Sequence, residues 1–514
     1  MNRIFLISTA LAAGLLFGAA AQASTLNIRI NADIRGVEGL NRDANTDTVL
    51  HHIFETLVGF RDDQTIGPVL AESWTVSDDG KTYTFTLRDG ATFHNGDPVT
   101  SADVKWNWDR RVAAGAAWFC NAFFDGSQGL KVEAVETPDP RTVVFKINEP
   151  NALFLAQLAN IQCNAWIASP KNVGADGKWI GDSAIGSGSF KLKEWQKGQY
   201  VTLEKYAGYK PLKEKASGYA GDRTALVDEA KFMIIPDTSA AETALFAGEI
   251  DVLENFESQR IEEAKGRGVQ VMTTAGLSLT PLLIQTNDPL MSNVKLRQAI
   301  AHAIDFKQIA AARTAGLAEF NPSGVPQASA FFDQDFLKWP DYNPETAKAL
   351  LAEAGYKGET IKIQTNTRYQ GMYENSVLVQ AMLASAGINA ELEVLDWAAQ
   401  LDNYLAGKFQ MQSFGYSARL DPSQFYGIII GDKKTDLTAQ WDNPEANQLL
   451  LKSTKTTNFE ERKAIFKQIH ELMARDVPIL GIYYEPVVAA VGAKIEGFAV
   501  WPADKERAWG VKKN

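Results

Sequence analysis

Residues 70–104 read LAESWTVSDDGKTYTFTLRDGATFHNGDPVTSADV, and their alternation sets the character of the first third of the chain. Trp74 to Val76 leads into the polar turn Ser77-Asp78-Asp79-Gly80. Tyr83, Phe85 and Leu87 then alternate with threonines, so one face of the second strand is apolar and the other polar. Asp89-Gly90 ends that strand. Further on, Pro138-Asp139-Pro140 introduces another alternating run through Val143, Phe145 and Ile147. The spacing predicts a β-rich subdomain.

Outward from this block the pattern changes. On the N-terminal side, Thr25 to Ile30 reads as a strand, and from Thr46 a helical pattern places Val49, Ile53, Phe54 and Leu57 on one face. On the C-terminal side Lys191 to Tyr206 reads as strand, after which strands and helices alternate. Leu296, Ala299, Ile300, Ala303 and Ile304 form one buried helical stripe. Asp305 with Gln308 resembles a capping box for the next helix. Asn343-Pro344 is an N-cap followed by proline at the first helical position, Leu350, Leu351 and Ala354 form the inner face, and Gly355 ends that helix. Strands at Ile361–Gln364 and Ala390–Leu395 flank a helix near Ser376–Ala386. This punctuation belongs to layered α/β domains. With no internal repeat and no Pro- or Ser-rich linker, the domains are expected to be closely apposed.

At 514 residues the chain is long enough for two to four domains of roughly 100–200 residues. Its formal charge of −11 lacks the basic footprint of a nucleic-acid binder. Arg3, the apolar stretch Ile4 to Ala21 and the small-x-small site Ala21-Gln22-Ala23 form a secretory leader, with cleavage expected after Ala23. A membrane anchor is the rival reading, but Ser24-Thr25 behind the small-residue site favours removal. Position 24 is not cysteine, so the lipoprotein signal is missing. A soluble, exported protein is expected. In an oxidising compartment Cys120 and Cys163 read first as a disulfide, with two buried free thiols as the alternative. No Cys-x-x-Cys or paired-His spacing makes them a metal site.

Enzyme signatures do not emerge. The sequence lacks a Gly-x-Ser-x-Gly elbow, a complete phosphate loop and a His-Glu-x-x-His pair. Gly186-Ser187-Gly188-Ser189 fails the dinucleotide fingerprint and reads as a tight turn where a strand begins. Five histidines are few, and the adjacent His51 and His52 point to different faces of a helix. What stands out is a set of aromatic residues at loop or strand ends: Trp118, Phe119, Trp397, Tyr416, Phe425 and Tyr426. Such side chains wall small-solute pockets. They also fill cores, the default for any one of the 26 Phe, 12 Trp and 14 Tyr here.

The Leu70–Val104 string closely resembles the signature block of the family 5 extracellular solute-binding proteins, the dipeptide-, oligopeptide-, glutathione-, opine- and nickel-binding components of ABC importers. Ser187–Tyr209, Asn293–Asp305, Asn343–Tyr356, Met473–Tyr484 and the Gly497-Phe498 pair resemble further blocks of that family, in family order. The resemblance implies a two-lobed type II periplasmic clamshell, α/β in class, with an extra subdomain on the first lobe. Carried over by block position, residues 1–23 are the leader, lobe I takes 24–66, 187–277 and 486–514, the extra subdomain 67–186, and lobe II 278–485. Chain crossings near 277 and 486 would form the hinge. A ligand gripped by both lobes stabilises the closed form by its differential affinity, and a membrane permease then recognises that form. A periplasmic monomer follows, with no catalysis, cofactor or metal.

The resemblance also directs attention to the ligand. Peptide-binding relatives place an aspartate shortly before an Asp-Pro pair to meet the free amine. Here the stretch reads Gly415-Tyr416-Ser417-Ala418-Arg419-Leu420-Asp421-Pro422, with Arg419 in that neighbourhood and Asp421 matching the Asp-Pro pair. An arginine in a closed cleft needs a carboxylate or phosphate, which it can hold bidentately. Arg368 lies near the carboxylate-binding arginine of dipeptide binders, and Arg35 follows the first strand. Trp397, in Leu395-Asp396-Trp397, matches an acidic-Trp pair that can stack on ligand. The expected solute is therefore anionic or zwitterionic, an opine-like modified amino acid or a short acidic peptide. Competing readings are a general di- or oligopeptide receptor, a nickel or haem carrier, and an exported hydrolase.

Overall fold

A computed structural model describes residues 23–40, 43–118, 120–369 and 371–514. Most of the expected leader, residues 1–22, lies outside the described residues, as does Phe119. The alternation that opens the sequence builds a four-stranded antiparallel sheet in the order Ala71–Val76, Thr82–Leu87, Thr142–Ile147 and Val132–Asp139. Tyr83, Phe85 and Leu87 turn inward with Val143, Phe145 and Ile147. Helix Ser101–Ala114 packs on this sheet, its start fixed by the Asp103 carboxylate, which accepts from both the amide and the hydroxyl of Thr100 at 2.8 Å. Cys120 and Cys163 are bonded to each other inside the same core.

Two larger sheets carry the rest. The first has seven strands, in the order Gln270–Thr274, Val487–Val491, Val252–Glu254, Thr25–Ile30, Glu229–Ile234, Tyr200–Lys205 and Phe190–Gln196. The predicted single strand over 191–206 is a hairpin, broken where Gly198 adopts a φ of 76°. The second sheet has five strands: Ala390–Val394, Ile361–Thr365, Met411–Ser413, Leu279–Ile284 and Ile479–Tyr484. Helices Val294–Ala303 and Pro344–Ala354 cover it, the first burying Leu296, Ala299, Ile300 and Ala303. Asp305 caps the helix Phe306–Arg313 through the Gln308 amide, and Asn343 caps the Pro344 helix through the Thr346 amide.

The chain passes between the large sheets twice, at residues 275–278 and 485–486. The two passages lie side by side, with the Glu485 amide donating to the Ser278 carbonyl at 2.9 Å. A Cβ on Gly276 would sit 2.0 Å from the Glu485 carbonyl oxygen, so a side chain there forces the passages apart. Because the obstacle is backbone, it cannot rotate away. Gly276→Ala is expected to destabilise the fold by about 1–3 kcal/mol, the usual cost of overpacking. Denaturant melts of the two proteins check this, and equal midpoints would show that the passages have slack.

One helix is shorter than its sequence pattern. The stripe through Val49, Ile53, Phe54 and Leu57 predicts a helix past residue 50, but the helix spans only Ala44–Leu50. The backbone at 52–53 is claimed by another segment: the amides of Gly188 and Phe190 donate to the carbonyls of Ile53 and His52. This close approach explains the Gly186–Ser189 run. A Cβ on Gly186 or Gly188 would lie 2.0 or 2.2 Å from those same carbonyl oxygens.

Candidate functional site

Where the two passages leave the sheets, a cavity of about 980 Å³ opens between them. Its first wall is the segment Asn255 to Gln259, which follows strand Val252–Glu254, together with Thr238 and Val488. The opposite wall comes from the five-stranded side and is largely aromatic. Tyr369 meets Trp397 edge to face at 4.8 Å, Trp397 meets Phe414 at 5.6 Å, and Phe414 meets Tyr416 at 5.2 Å. Local sequence sets these rings in place. Asp396 accepts from the Ala399 amide and so caps the helix Trp397–Leu405, leaving Trp397 as its first residue, at the cavity. The Tyr416 hydroxyl donates to Gln440 Oε1 at 3.3 Å.

The charged groups sit at the base. Glu485, at the second passage, accepts from Thr280 Oγ1 at 3.0 Å, and burial pushes its carboxyl above the usual range against the pull of Thr280, Tyr483 and Arg313. Arg313 ends the helix Phe306–Arg313, and its Nη2 stands 3.7 Å from Glu374 Oε2. Its Nε is buried with no hydrogen-bond partner among the described residues. Glu257 and Glu374 add carboxylates to the lining. A Cβ on Gly371, which has a φ of 86°, would stand 3.3 Å from the Tyr483 hydroxyl, so small size and positive φ both keep this corner open. The site thus holds one guanidinium with donors to spare, three carboxylates and an apolar wall. That set fits a solute bearing both an amine and a carboxylate.

Trp397 and Tyr416 line this cavity and the other predicted residues do not. Arg419 lies two residues beyond the lining residue Ser417, and its Nη1 donates to the carbonyls of Ser417 at 3.0 Å and Ala418 at 3.2 Å. Arg368 is exposed, over the ring of Tyr369. Arg35 is solvated, 3.4 Å from Asp43. Asp421 caps the helix Pro422–Ile429 and holds Arg462 bidentately, both bonds at 2.9 Å. Burial alone would raise its carboxyl, but Arg462 and Ser423 hold it below the ordinary range. Trp118 is buried in the disulfide-containing core, stacked on Phe124, with its Nε1 donating to the Cys163 carbonyl at 2.8 Å. Its ring serves packing, as a large apolar side chain most often does.

Arg313 and Glu485 are the residues that sequence reasoning misses. A basic residue in the last turn of a capped helix is ordinary dipole compensation, and a glutamate after Tyr483-Tyr484 carries no motif. The signal for Glu485 is its place at the second passage. The histidines hold no ligand-like arrangement. His52 is hydrogen-bonded through Nδ1 to the Thr48 carbonyl and through Nε2 to the Ala508 amide, and burial pushes it down to about 3.

Two apposed α/β lobes joined by a double passage, with an open cleft at the junction and a β-rich subdomain on the first lobe, define a solute-binding clamshell of the type II periplasmic class. The chain belongs to the bacterial extracellular solute-binding proteins, family 5: that family's model, described as its middle region, matches residues 65–436. This is a family of binding proteins. The chain is 26% identical to the glutathione-binding protein GsiB of Escherichia coli (strain K12), over 98% of this chain and 97% of that protein. It is also 26% identical to the dipeptide-binding protein DppE of Bacillus subtilis (strain 168), over 88% of this chain and 85% of that one. In fold it is similar to HbpA2 from Haemophilus parasuis, with a TM-score of 0.82, 24% identity and coverage of 95% of this chain and 100% of that one. Among the described residues no helix is long and apolar enough to cross a membrane.

Proposed function

We propose that this chain is the periplasmic substrate-binding component of an ABC importer, capturing a small peptide- or opine-like solute that carries a carboxylate. Lobe I comprises residues 24–66, 187–277 and 486–514, the extra subdomain 67–186, and lobe II 278–485. The leader ends at Ala23. The protein works as a monomer, hands the solute unaltered to a membrane permease and performs no chemistry on it.

The observation that carries this reading is the Arg313 guanidinium, 3.7 Å from Glu374, in a cleft that also holds the Glu485 carboxylate and is walled by Trp397, Phe414 and Tyr416. The solute's carboxylate takes the guanidinium and its amine meets the carboxylates, while its side chain lies against the rings. Such a guest touches both walls and so favours closure. The names of the relatives, a glutathione-binding and a dipeptide-binding protein, support the same class of guest. Arg419 and Arg368, on segments that border the cleft, are the alternative anion partners.

A thermal-shift screen against dipeptides, glutathione, opines, sugars and metal ions tests the class. A true ligand at 100 times its Kd stabilises the fold by about 2.7 kcal/mol, and X-ray scattering should show contraction with it. Chemical turnover of any hit would overturn the reading. With the ligand in hand, Arg313→Ala is expected to lower affinity by about 30-fold or more, the loss typical when one partner of a desolvated charge pair is truncated. Arg419→Ala is expected to change it by less than about threefold, as for a charge at the rim. The reverse order by calorimetry would move the anion to Arg419.

A further inference from the structure

The extra subdomain contains a second, much smaller cavity, of about 20 Å³, remote from the cleft and sharing no lining residue with it. Its walls are apolar except at Asn107, Arg111 and the indoles of Trp108 and Trp166, and Asn107, Arg111 and Trp166 carry buried polar groups. Asn107 is occupied: its Nδ2 donates to the carbonyls of Asp103 and Ala168, and its Oδ1 accepts from the Ala168 amide. The other two are not. Arg111 Nε and Trp166 Nε1 are both buried with no hydrogen-bond partner among the described residues. Arg111 is 6% exposed and Trp166 fully enclosed, so solvent cannot serve either group. Among the described residues the guanidinium makes one hydrogen bond, from Nη1 to the Asn107 carbonyl at 3.3 Å.

Charge sharpens the point. A guanidinium does not shed its proton under ordinary conditions, and burying it without a counter-charge is costly. The nearby carboxylate is Glu38, but it is part of a surface ion pair with Arg110, whose positive charge also acts on Arg111. Burial, then Arg110, push Arg111 down to about 9, and the pull of Glu38 in the other direction does not offset them. Two unpartnered donors, one of them cationic, therefore belong to residues that line a space large enough for a single-atom guest and too small for a carboxylate or a phosphate.

We infer that Arg111 and Trp166 hold a buried monatomic anion, a halide such as chloride, inside the extra subdomain. The ion accepts from both N–H groups and neutralises the guanidinium. Asn107 closes the site by holding the helix Ser101–Ala114 to the Ala168 backbone. Trp166 also stacks on Phe54 at 5.1 Å, so the ion lies where the subdomain meets the core of the seven-stranded sheet.

Crystals of the full chain soaked in sodium bromide test this directly. The expected result is an anomalous bromine peak within hydrogen-bond distance of Arg111 and Trp166 Nε1. A peak with no anomalous signal, which is a water, would overturn the inference. In solution, replacing sodium gluconate by sodium chloride or bromide at fixed ionic strength should raise Tm by roughly 1–3 °C. Trp166→Phe keeps the ring and removes the donor, and Arg111→Leu removes the charge. Each should abolish the halide-specific part of the rise. A halide response that persists undiminished in both variants would place the ion elsewhere.

Discussion

Replacing Arg88 by alanine is expected to destabilise the protein by about 3–5 kcal/mol, because it leaves a buried carboxylate without its cation. Arg88 stands just past the strand Thr82–Leu87 of the four-stranded sheet, and Glu55 lies after the helix Ala44–Leu50, next to the seven-stranded sheet. Both side chains are almost wholly enclosed, at 4% and 0% exposure, so water cannot take over either role. Arg88 Nη1 and Nη2 donate to the two Glu55 oxygens at 3.1 and 2.8 Å, and Nη1 also reaches the Val69 carbonyl at 3.0 Å. Glu55 collects further donors from the Ser187 hydroxyl at 2.9 Å and the Tyr209 hydroxyl at 3.3 Å. Four segments distant in sequence meet on this one carboxylate. The alanine variant removes the cation that is hydrogen-bonded to it, leaving only the more distant field of the buried Arg223 guanidinium. Urea melts of the wild type, of Arg88→Ala and of Arg88→Ala with Glu55→Leu should show most of the loss in the single variant and partial recovery in the double one. The recovery follows from the near neutrality of replacing both partners of a buried pair. A loss below about 1 kcal/mol in the single variant would mean that water enters this junction.

The same cluster marks how far the sequence could be read. Elements specified by local rules were predicted in place: the hairpin around Ser77–Gly80, and the helices begun by Asp305 and by Asn343-Pro344. Their caps, turns and periodicities act over a few residues, which a single sequence displays. The end of the first helix was not, because the backbone at 52–53 is taken by residues 186–190, over 130 positions away. The glycine run there has its explanation in that distant contact. The site divides in the same way. Trp397 is legible through the resemblance of Asp396-Trp397 to an acidic-Trp pair, and Tyr416 through its segment. Arg313 and Glu485 come to line one cleft only when the second passage and the helix that ends at Arg313 are brought together by the fold. Asp421 was read as part of the ligand segment, yet its partner Arg462 sits 41 residues on, in the helix Phe459–Asp476. Residues whose meaning depends on a distant partner were the ones missed.

Removing the disulfide should separate stability from binding. Cys120 and Cys163 are bonded with a Cα–Cα distance of 5.2 Å across a sequence separation of 43. On the loop-entropy model a crosslink over that span restricts the unfolded chain by about 4 kcal/mol, so Cys120→Ala with Cys163→Ala is expected to lower stability by that order. The local cost falls on the core around the bond. Trp118 hydrogen-bonds the Cys163 carbonyl and stacks on Phe124, while Trp108 meets Trp118 and Phe145 edge to face. Hydrogen exchange should therefore quicken between residues 115 and 124 before it does in the five-stranded sheet. The cleft draws no lining residue from the 120–163 loop, so affinity for the solute should stay within about twofold of the wild type. Chemical denaturation and calorimetry on one preparation read both quantities. Unchanged stability would mean that the unfolded chain is already compact across this span, whereas a large loss of affinity would tie the extra subdomain into ligand capture.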